Sequence, residues 1–137
     1  MPQKLNPYLN FDGNCAEAVN FYAGVFGTEP RIMRFAEGPT PAAPGTEDRV
    51  LHAVLDVGDT TLMASDTMPG MPFSQGTNVH LSVAFADPDE QTRIFEALAE
   101  GGRVEMPLAD QFFGRFGMLT DRFGVQWMVI RQAPAET

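Results

Sequence analysis

Apolar residues recur along this chain in two rhythms, one of period two and one of period three to four, and the rhythms follow each other in the same order twice. Residues 5 to 11 alternate, with Leu5, Pro7, Leu9 and Phe11 on one face, and read as a strand. Helical spacing follows in Cys15, Ala18, Val19, Tyr22, Val25 and Phe26, which predicts a helix over 14 to 27. Asn14, with Glu17 three residues on, is a helix-start signature: a side-chain oxygen for unpaired amides and a carboxylate at the positive end. Gly27 ends it. Residues 29 to 37 read as a strand leading into the Pro/Gly loop Gly38 to Gly45. Residues 49 to 57 alternate again, with Leu51, Ala53, Leu55 and Val57 on one face and Val50, His52, Val54 and Asp56 on the other. After a turn at Gly58-Asp59, Thr60 to Ser65 form the last strand of this half, and residues 67 to 77 read as a linker.

The order then restarts. Asn78 to Phe85 is a strand with Leu81, Val83 and Phe85 on one face and His80, Ser82 and Ala84 on the other. Asp87 and Glu90 repeat the cap signature, Pro88 takes the first helical position, and Ile94, Phe95 and Leu98 carry a helix from Asp87 to Glu100. Gly101-Gly102 closes it. Arg103 to Leu108 reads as a strand, Asp110 to Asp121 as a loop entering a strand, Val125 to Arg131 as the closing strand and Ala133 to Thr137 as a frayed tail. The caps Asn14 and Asp87 lie 73 residues apart, the turns Gly58 and Gly124 only 66. The shortfall is close to the length of the Pro/Gly loop, which only the first half has. The chain therefore reads as two β-α-β-β-β modules, about 5 to 66 and 78 to 131, within a single domain over 1 to 137.

Composition narrows the picture. With 44% hydrophobic and 20% charged residues in 137 the chain is of globular type, and no apolar run approaches the length that crosses a bilayer. The start, Met-Pro-Gln-Lys, has no signal-peptide apolar stretch, so a cytoplasmic location is expected. A single cysteine, Cys15, excludes an internal disulfide and any multi-cysteine zinc site; on the buried helix stripe it reads as a structural thiol. A net charge of −9 with scattered Lys and Arg argues against nucleic acid and anionic membrane as partners. There is no Gly-rich phosphate loop, nucleophile elbow or His-Glu-x-x-His helix.

A tandem repeat of this kind resembles the vicinal oxygen chelate superfamily, which includes glyoxalase I, extradiol dioxygenases, and bleomycin- and fosfomycin-resistance proteins. Within it the chain looks like the PhnB-like branch. The resemblance rests on Tyr8-Leu-x-Phe-Asp-Gly-Asn-x-x-Glu-Ala18 with Phe21-Tyr22, Leu62-Met-Ala-Ser-Asp66, Met106-Pro-Leu108, and Phe116-Gly-Met-x-Thr-Asp-x-Phe-Gly-Val-x-Trp127. It implies an α+β fold of curved mixed sheets around a cavity, with helices on the convex side. Metal-dependent members of that superfamily take a ligand from the first and last strand of each module. Those positions carry over onto Pro7, Leu62, His80 and Met128, so His80 is the one metal-ligand position retained. Strand parity places Pro7 among the apolar Leu5, Leu9 and Phe11, whereas the carry-over aims it at the cavity; either that wall is apolar or the register slips by one. A ubiquinone-methyltransferase label attached to some PhnB-like sequences is discounted, since nothing here resembles a doubly wound cofactor fold.

Two functions of different class follow. The first is a homodimeric binding module that holds a small organic ligand in its cavity with no cofactor and no metal. The second is a metal-dependent isomerase, lyase or dioxygenase with an atypical ligand set including His80. A structural dimer with a collapsed cavity is a third. The candidate ligand-binding residues are His80, His52, Ser82, Met128, Arg115 and Phe113. For the histidines the alternative is a hydrogen-bonded residue in a polar sheet face. For Asp110, Phe112, Phe113, Arg115 and Phe116 the choice is a ligand-facing rim or a dimer contact. Trp127 is expected in the helix-packed core. Asp66 is expected as a solvated turn residue, with a place at the cavity mouth as its alternative.

Overall fold

The computed structural model describes residues 2–132; the tail expected over Ala133 to Thr137 lies outside them. The chain divides into two compact units, one ending at Ser74 and the other beginning at Gln75, so the division falls inside the expected linker.

The first unit runs β1 (Tyr8–Phe11), α1 (Cys15–Phe26), β2 (Arg31–Arg34), a single 3-10 turn (Phe35–Glu37), β3 (Val50–Val57) and β4 (Thr60–Asp66). The second runs β5 (Leu81–Ala84), α2 (Pro88–Ala99), β6 (Arg103–Gln111), β7 (Gly114–Thr120) and β8 (Gln126–Gln132). The strand orders are β1-β4-β3-β2 and β5-β8-β7-β6, one topology used twice. In each sheet the first strand lies parallel to the last, and the remaining neighbours are antiparallel. The repeat read from caps and turns is thus a repeat of topology. The fold is α+β, two mixed four-stranded sheets with one helix each.

Burial explains the alternation. Helix α1 buries Cys15, Ala18, Val19, Tyr22, Ala23 and Val25 and packs on β3 and β4, where Ala53, Leu55, Leu62 and Ala64 are buried. Helix α2 buries Ile94, Phe95 and Leu98 and packs on β6, β7 and β8, where Leu119, Trp127 and Val129 are buried. Trp127 therefore belongs to the helix-packed core, as its parity predicts. Gly117 lets α2 come close: a Cβ built there would stand 2.7 Å from Cε2 of Phe95.

Four expectations need correction. The segment 110 to 121, expected as a loop entering a strand, does enter one, β7, but has almost no loop: β6 and β7 form a hairpin whose two-residue turn, Phe112-Phe113, is closed by the Gln111–Gly114 pair. Its aromatics and glycines hid the alternation that carries Leu119 inward. Val50 does not share the outer face of its strand, because the pairing of β2 with β3 shifts between Met33 and Arg34 and turns Val50 into the core. Asn14 occupies the cap position but makes no side-chain cap bond. That work falls to Asp66, which is buried rather than solvated: Oδ1 accepts from the Gly13 and Cys15 amides at 2.8 and 3.0 Å, and Oδ2 from the Val50 amide at 2.9 Å. The second cap is as expected, with Asp87 accepting from the Asp89 amide at 3.1 Å.

Candidate functional site

With one face of each sheet taken by its helix, the side chains free of helix packing stand on the opposite face, and the strand register says which they are. Directly paired residues of neighbouring strands share a face. In the second unit Ser82 pairs with Met128, Met128 with Met118 and Met118 with Met106. A row of three thioethers and one hydroxyl thus crosses all four strands on the face away from α2. The row on one side of it is polar: Gln126 pairs with Thr120 and Thr120 with Arg103. Glu105 joins this row by accepting from Arg103 Nε at 2.7 Å and from the Thr120 hydroxyl at 3.0 Å. Those two bonds, with the charges of Arg103 and His80, hold the Glu105 carboxyl below its ordinary value. His80, two residues before Ser82, therefore stands near this carboxylate. The row on the other side is apolar, with Ala84 paired to Ile130, Ile130 to Phe116 and Phe116 to Ala109. Phe113 packs edge-on against Phe116 with ring centroids 5.3 Å apart. This face grades from hydrogen-bonding groups through methionines to aromatics.

In the first unit the corresponding face carries Tyr8, paired with Met63, then Val54 and Arg31. Beside that row stand Asn10 paired with Ser65, and His52 paired with Met33. The Tyr8 hydroxyl reaches across β4 to lie 3.2 Å from Nδ1 of His52, the rings 5.8 Å apart. Sequence reasoning selected His52 and missed Tyr8, although alternation with the apolar Leu9 and Phe11 was a signal that could have found it.

The structure places the sequence-selected residues unequally. Ser82 and Met128 sit side by side in the methionine row, and Phe113 lies at its aromatic border. His80 is at the polar border. His52 belongs to the other sheet, beside Tyr8. Arg115 stands apart from all of these: its Nη1 donates to the Pro88 carbonyl at 3.1 Å, to Gln91 Oε1 at 3.1 Å and to the Thr92 hydroxyl at 2.9 Å. It fastens the first turn of α2 to β7, because odd-numbered residues of that strand face the helix. The buried Gln91 completes the fastening by donating to the Arg115 carbonyl at 2.8 Å. Cys15 is fully buried; burial first, then the charge of Asp66, push its thiol up to about 12 against a smaller opposing effect of Arg34. It is a structural thiol.

The register question raised by Pro7 is settled by parity. Leu9 and Phe11 face inward and Phe11 is buried, so Tyr8, not Pro7, faces away from the helix. Likewise Leu62 is buried under α1 and its neighbour Met63 takes the outward position. Tyr8 and Met63 are thus the side chains that stand next to the carried-over positions Pro7 and Leu62 on the helix-free face. Among the described residues no three His, Cys, Asp or Glu side chains converge as metal ligands.

Two four-stranded mixed sheets, each with its parallel pair at one edge and a helix on one face, give this chain the fold of the glyoxalase/bleomycin resistance/dioxygenase type. The same fold, at low identity, is seen in a glyoxylase/bleomycin resistance protein/dioxygenase domain from Frankia sp. EAN1pec (15% identity, TM-score 0.69, covering 97% of this chain and 99% of that one). Residues 3–130 match the family model described as 3-demethylubiquinone-9 3-methyltransferase, and the chain belongs to that family, the PhnB-like branch. Protein PA1353 from Pseudomonas aeruginosa is 42% identical, with TM-score 0.87 and coverage of 96% of this chain and 98% of that one. The PhnB protein from Bacillus cereus is 32% identical, with TM-score 0.79 and coverage of 94% and 99%. Protein YjdN of Escherichia coli K12 is 32% identical over 96% of this chain and 99% of its own length. The family's description names a methyl transfer, yet the sheets here are mixed and four-stranded, not the doubly wound parallel sheet of dinucleotide-type cofactor folds.

Proposed function

We propose that this chain is a small-molecule binding protein, a homodimer working in the cytoplasm, which holds an organic ligand against the helix-free faces of its sheets without the superfamily's usual metal. The observation that supports this most is the in-register row Ser82, Met128, Met118 and Met106, bordered on one side by Thr120, Gln126 and Glu105 and on the other by Phe116. Methionine side chains are flexible and polarizable, so a sheet face paved with them adapts to an apolar ligand, while the polar border fixes its orientation. On the second unit's face His80 and Ser82 would supply hydrogen bonds and Met128 and Phe113 apolar contact; on the first unit's own helix-free face His52 would supply a polar contact. The homodimer reading rests on Phe112, 97% exposed at the tip of the β6–β7 hairpin and stacked edge-on against Phe113 at 5.1 Å.

The test is a thermal-shift screen of small aromatic and aliphatic compounds, followed by methyl NMR of the methionines. Binders that perturb Met106, Met118 and Met128 support the proposal. A screen with no binder overturns it in favour of a structural dimer. Elemental analysis of protein purified without chelator addresses the other reading: near one equivalent of Zn, Ni, Mn or Fe per chain would replace binding by metal-dependent catalysis. Sedimentation at micromolar concentration checks the homodimer, and a monomer contradicts it.

A further inference from the structure

Three of the chain's eight methionines, Met106, Met118 and Met128, occupy paired positions on the adjacent strands β6, β7 and β8. Thioethers ordinarily fill irregular gaps in a core. These do not: Met106 is 40% exposed and Met118 and Met128 are half-buried, while their chain neighbours Leu119, Trp127 and Val129 are buried on the side facing α2. Nor does the sheet require them, since β-branched and aromatic side chains are the ones that strand positions favour. Neither packing nor strand propensity accounts for a row of three accessible sulfurs.

The reach of the side chains allows the sulfurs to meet. Paired residues of adjacent strands have Cβ atoms about 5 Å apart, so Met106 and Met128 stand about 10 Å apart at Cβ with Met118 midway between them. A methionine sulfur lies two rotatable bonds beyond Cβ, about 3 Å out. When the outer two lean inwards, all three sulfurs can come within about 4 Å of one another, the spacing of three sulfurs around one ion bound at about 2.3 Å. Side chains do lean inwards on this face: the charge of His80, at the approach to β5 on one edge of the sheet, is felt by Glu105 of β6 on the other edge.

A neutral thioether is a soft donor. It brings no charge to offset that of a divalent ion, and it holds no proton that must leave before it binds, so three of them suit a soft ion of low charge. We infer that the Met106–Met118–Met128 row is a binding site for a soft monovalent metal ion, Cu(I), with the three thioether sulfurs as its ligands. The inference goes beyond the organic-ligand reading of the same face, and either can fail alone.

The experiment uses the full chain labelled at its methionine methyls, titrated in chloride-free buffer with Ag(I), the air-stable analogue of Cu(I), and under argon with Cu(I) as its acetonitrile complex, with Zn²⁺ as the control. Either monovalent ion should move the methyls of Met106, Met118 and Met128, saturate near one equivalent per chain and leave Met33, Met63 and Met71 in place, and Zn²⁺ should move none of them. Met118→Leu and Met106→Leu keep the volume and the apolar character, and each should weaken Ag(I) at least about tenfold. Met71→Leu, at a 56% exposed position outside the row, and Cys15→Ala, which removes the fully buried thiol, should leave the affinity within about twofold. With no proton to lose, the row should bind Ag(I) within about twofold as tightly at pH 5 as at pH 7, where an imidazole site would weaken. No movement of the three methyls, affinity kept in both Met118→Leu and Met106→Leu, loss of binding in Cys15→Ala, or about tenfold weaker binding at pH 5 overturns the inference. Each of these results leaves the organic-ligand reading to the compound screen, whereas an empty screen with Ag(I) held at the three methionines removes that reading and keeps this one.

Discussion

Replacing Asp66 with alanine should be among the most destabilising single changes in the first unit, although sequence reasoning placed this residue in a solvated turn. Its carboxylate is 6% exposed, pairs with no cation among the described residues, and takes three backbone amides: Gly13 and Cys15, flanking the start of α1, and Val50, the first residue of β3. One side chain at the end of β4 thus joins the entrance of the helix to two strands. Alanine would leave three buried or half-buried donors without a partner, at about 1–3 kcal/mol each. Two effects oppose the sum: the native state no longer carries a desolvated carboxylate, and water can reach the exposed Gly13. The expected loss is about 3–5 kcal/mol, a large share of the 5–15 kcal/mol that ordinarily separates folded from unfolded domains. Urea unfolding measures it, with amide hydrogen exchange at Gly13, Cys15 and Val50 to locate it. Ser65→Ala is the control, since its hydroxyl meets only Asn10 Oδ1 at 3.4 Å in an exposed position, and should cost less than about 0.5 kcal/mol. A loss below about 1 kcal/mol for Asp66→Ala, or unchanged protection of the three amides, would refute the reasoning.

Other expectations are more local. The Cys15 thiol, raised from 9.0 to about 12, makes its stability contribution in full below pH 9 and loses it as pH rises from there towards 12. At pH 8 it should not react with Ellman's reagent until the chain unfolds, and prompt native reaction would contradict its burial. Glu105 is shifted the other way, so its contribution is present above its ordinary value of 4.5 and is lost as pH falls through the lower folded value. Glu105→Gln should remove that dependence from the acid limb of an unfolding curve measured against pH. Gly117→Ala, with Phe95 in the way of the new methyl, should cost about 1–3 kcal/mol, whereas Gly24→Ala, in open space on α1, should stabilise by about 0.5–1 kcal/mol; thermal melts distinguish the two signs. His80→Ala should cost about 1 kcal/mol or less in urea unfolding, because His80 borders the methionine face and is outside the helix-packed core, and a loss of several kcal/mol would make it structural.

What was legible in the sequence is what depends on period and punctuation. Helix ends at Gly27 and Pro88 and the alternation in β3 and β5 follow from local steric and burial rules, and two copies of the pattern reinforce each other. What was hidden depends on partners far away in the chain. Asn14 has the chemistry of a cap, but only the fold reveals that Asp66, 52 positions later, reaches the amides first. Arg115 has the chemistry of a ligand-binding residue, and parity within β7, whose first residues were read as loop, turns it towards α2 instead. The single-residue slip at Pro7 and Leu62 has the same origin, since strand parity is binary and an error of one exchanges the two faces of a sheet.

The slip has a chemical consequence. Read at Pro7, Leu62 and Met128, the carried-over metal positions look merely apolar, as though the site had been filled in. Their neighbours on the helix-free face, Tyr8 and Met63, are hydrogen-bonding or polarizable, and in each unit methionines stand on that face, Met33 in the first and Met106, Met118 and Met128 in the second. Thioether sulfur is a weak acceptor and a poor ligand for divalent ions that favour oxygen or imidazole, but it makes favourable contact with aromatic and apolar groups. On the proposed binding function, each unit's face would gain little affinity from any one contact and select a ligand by shape, the Tyr8–His52 couple supplying directional bonds in the first unit and the Thr120–Glu105–Arg103 cluster in the second. Selectivity should therefore respond more to loss of Tyr8 or His52 hydrogen bonding than to exchange of one methionine for leucine, which keeps the volume and the apolar character.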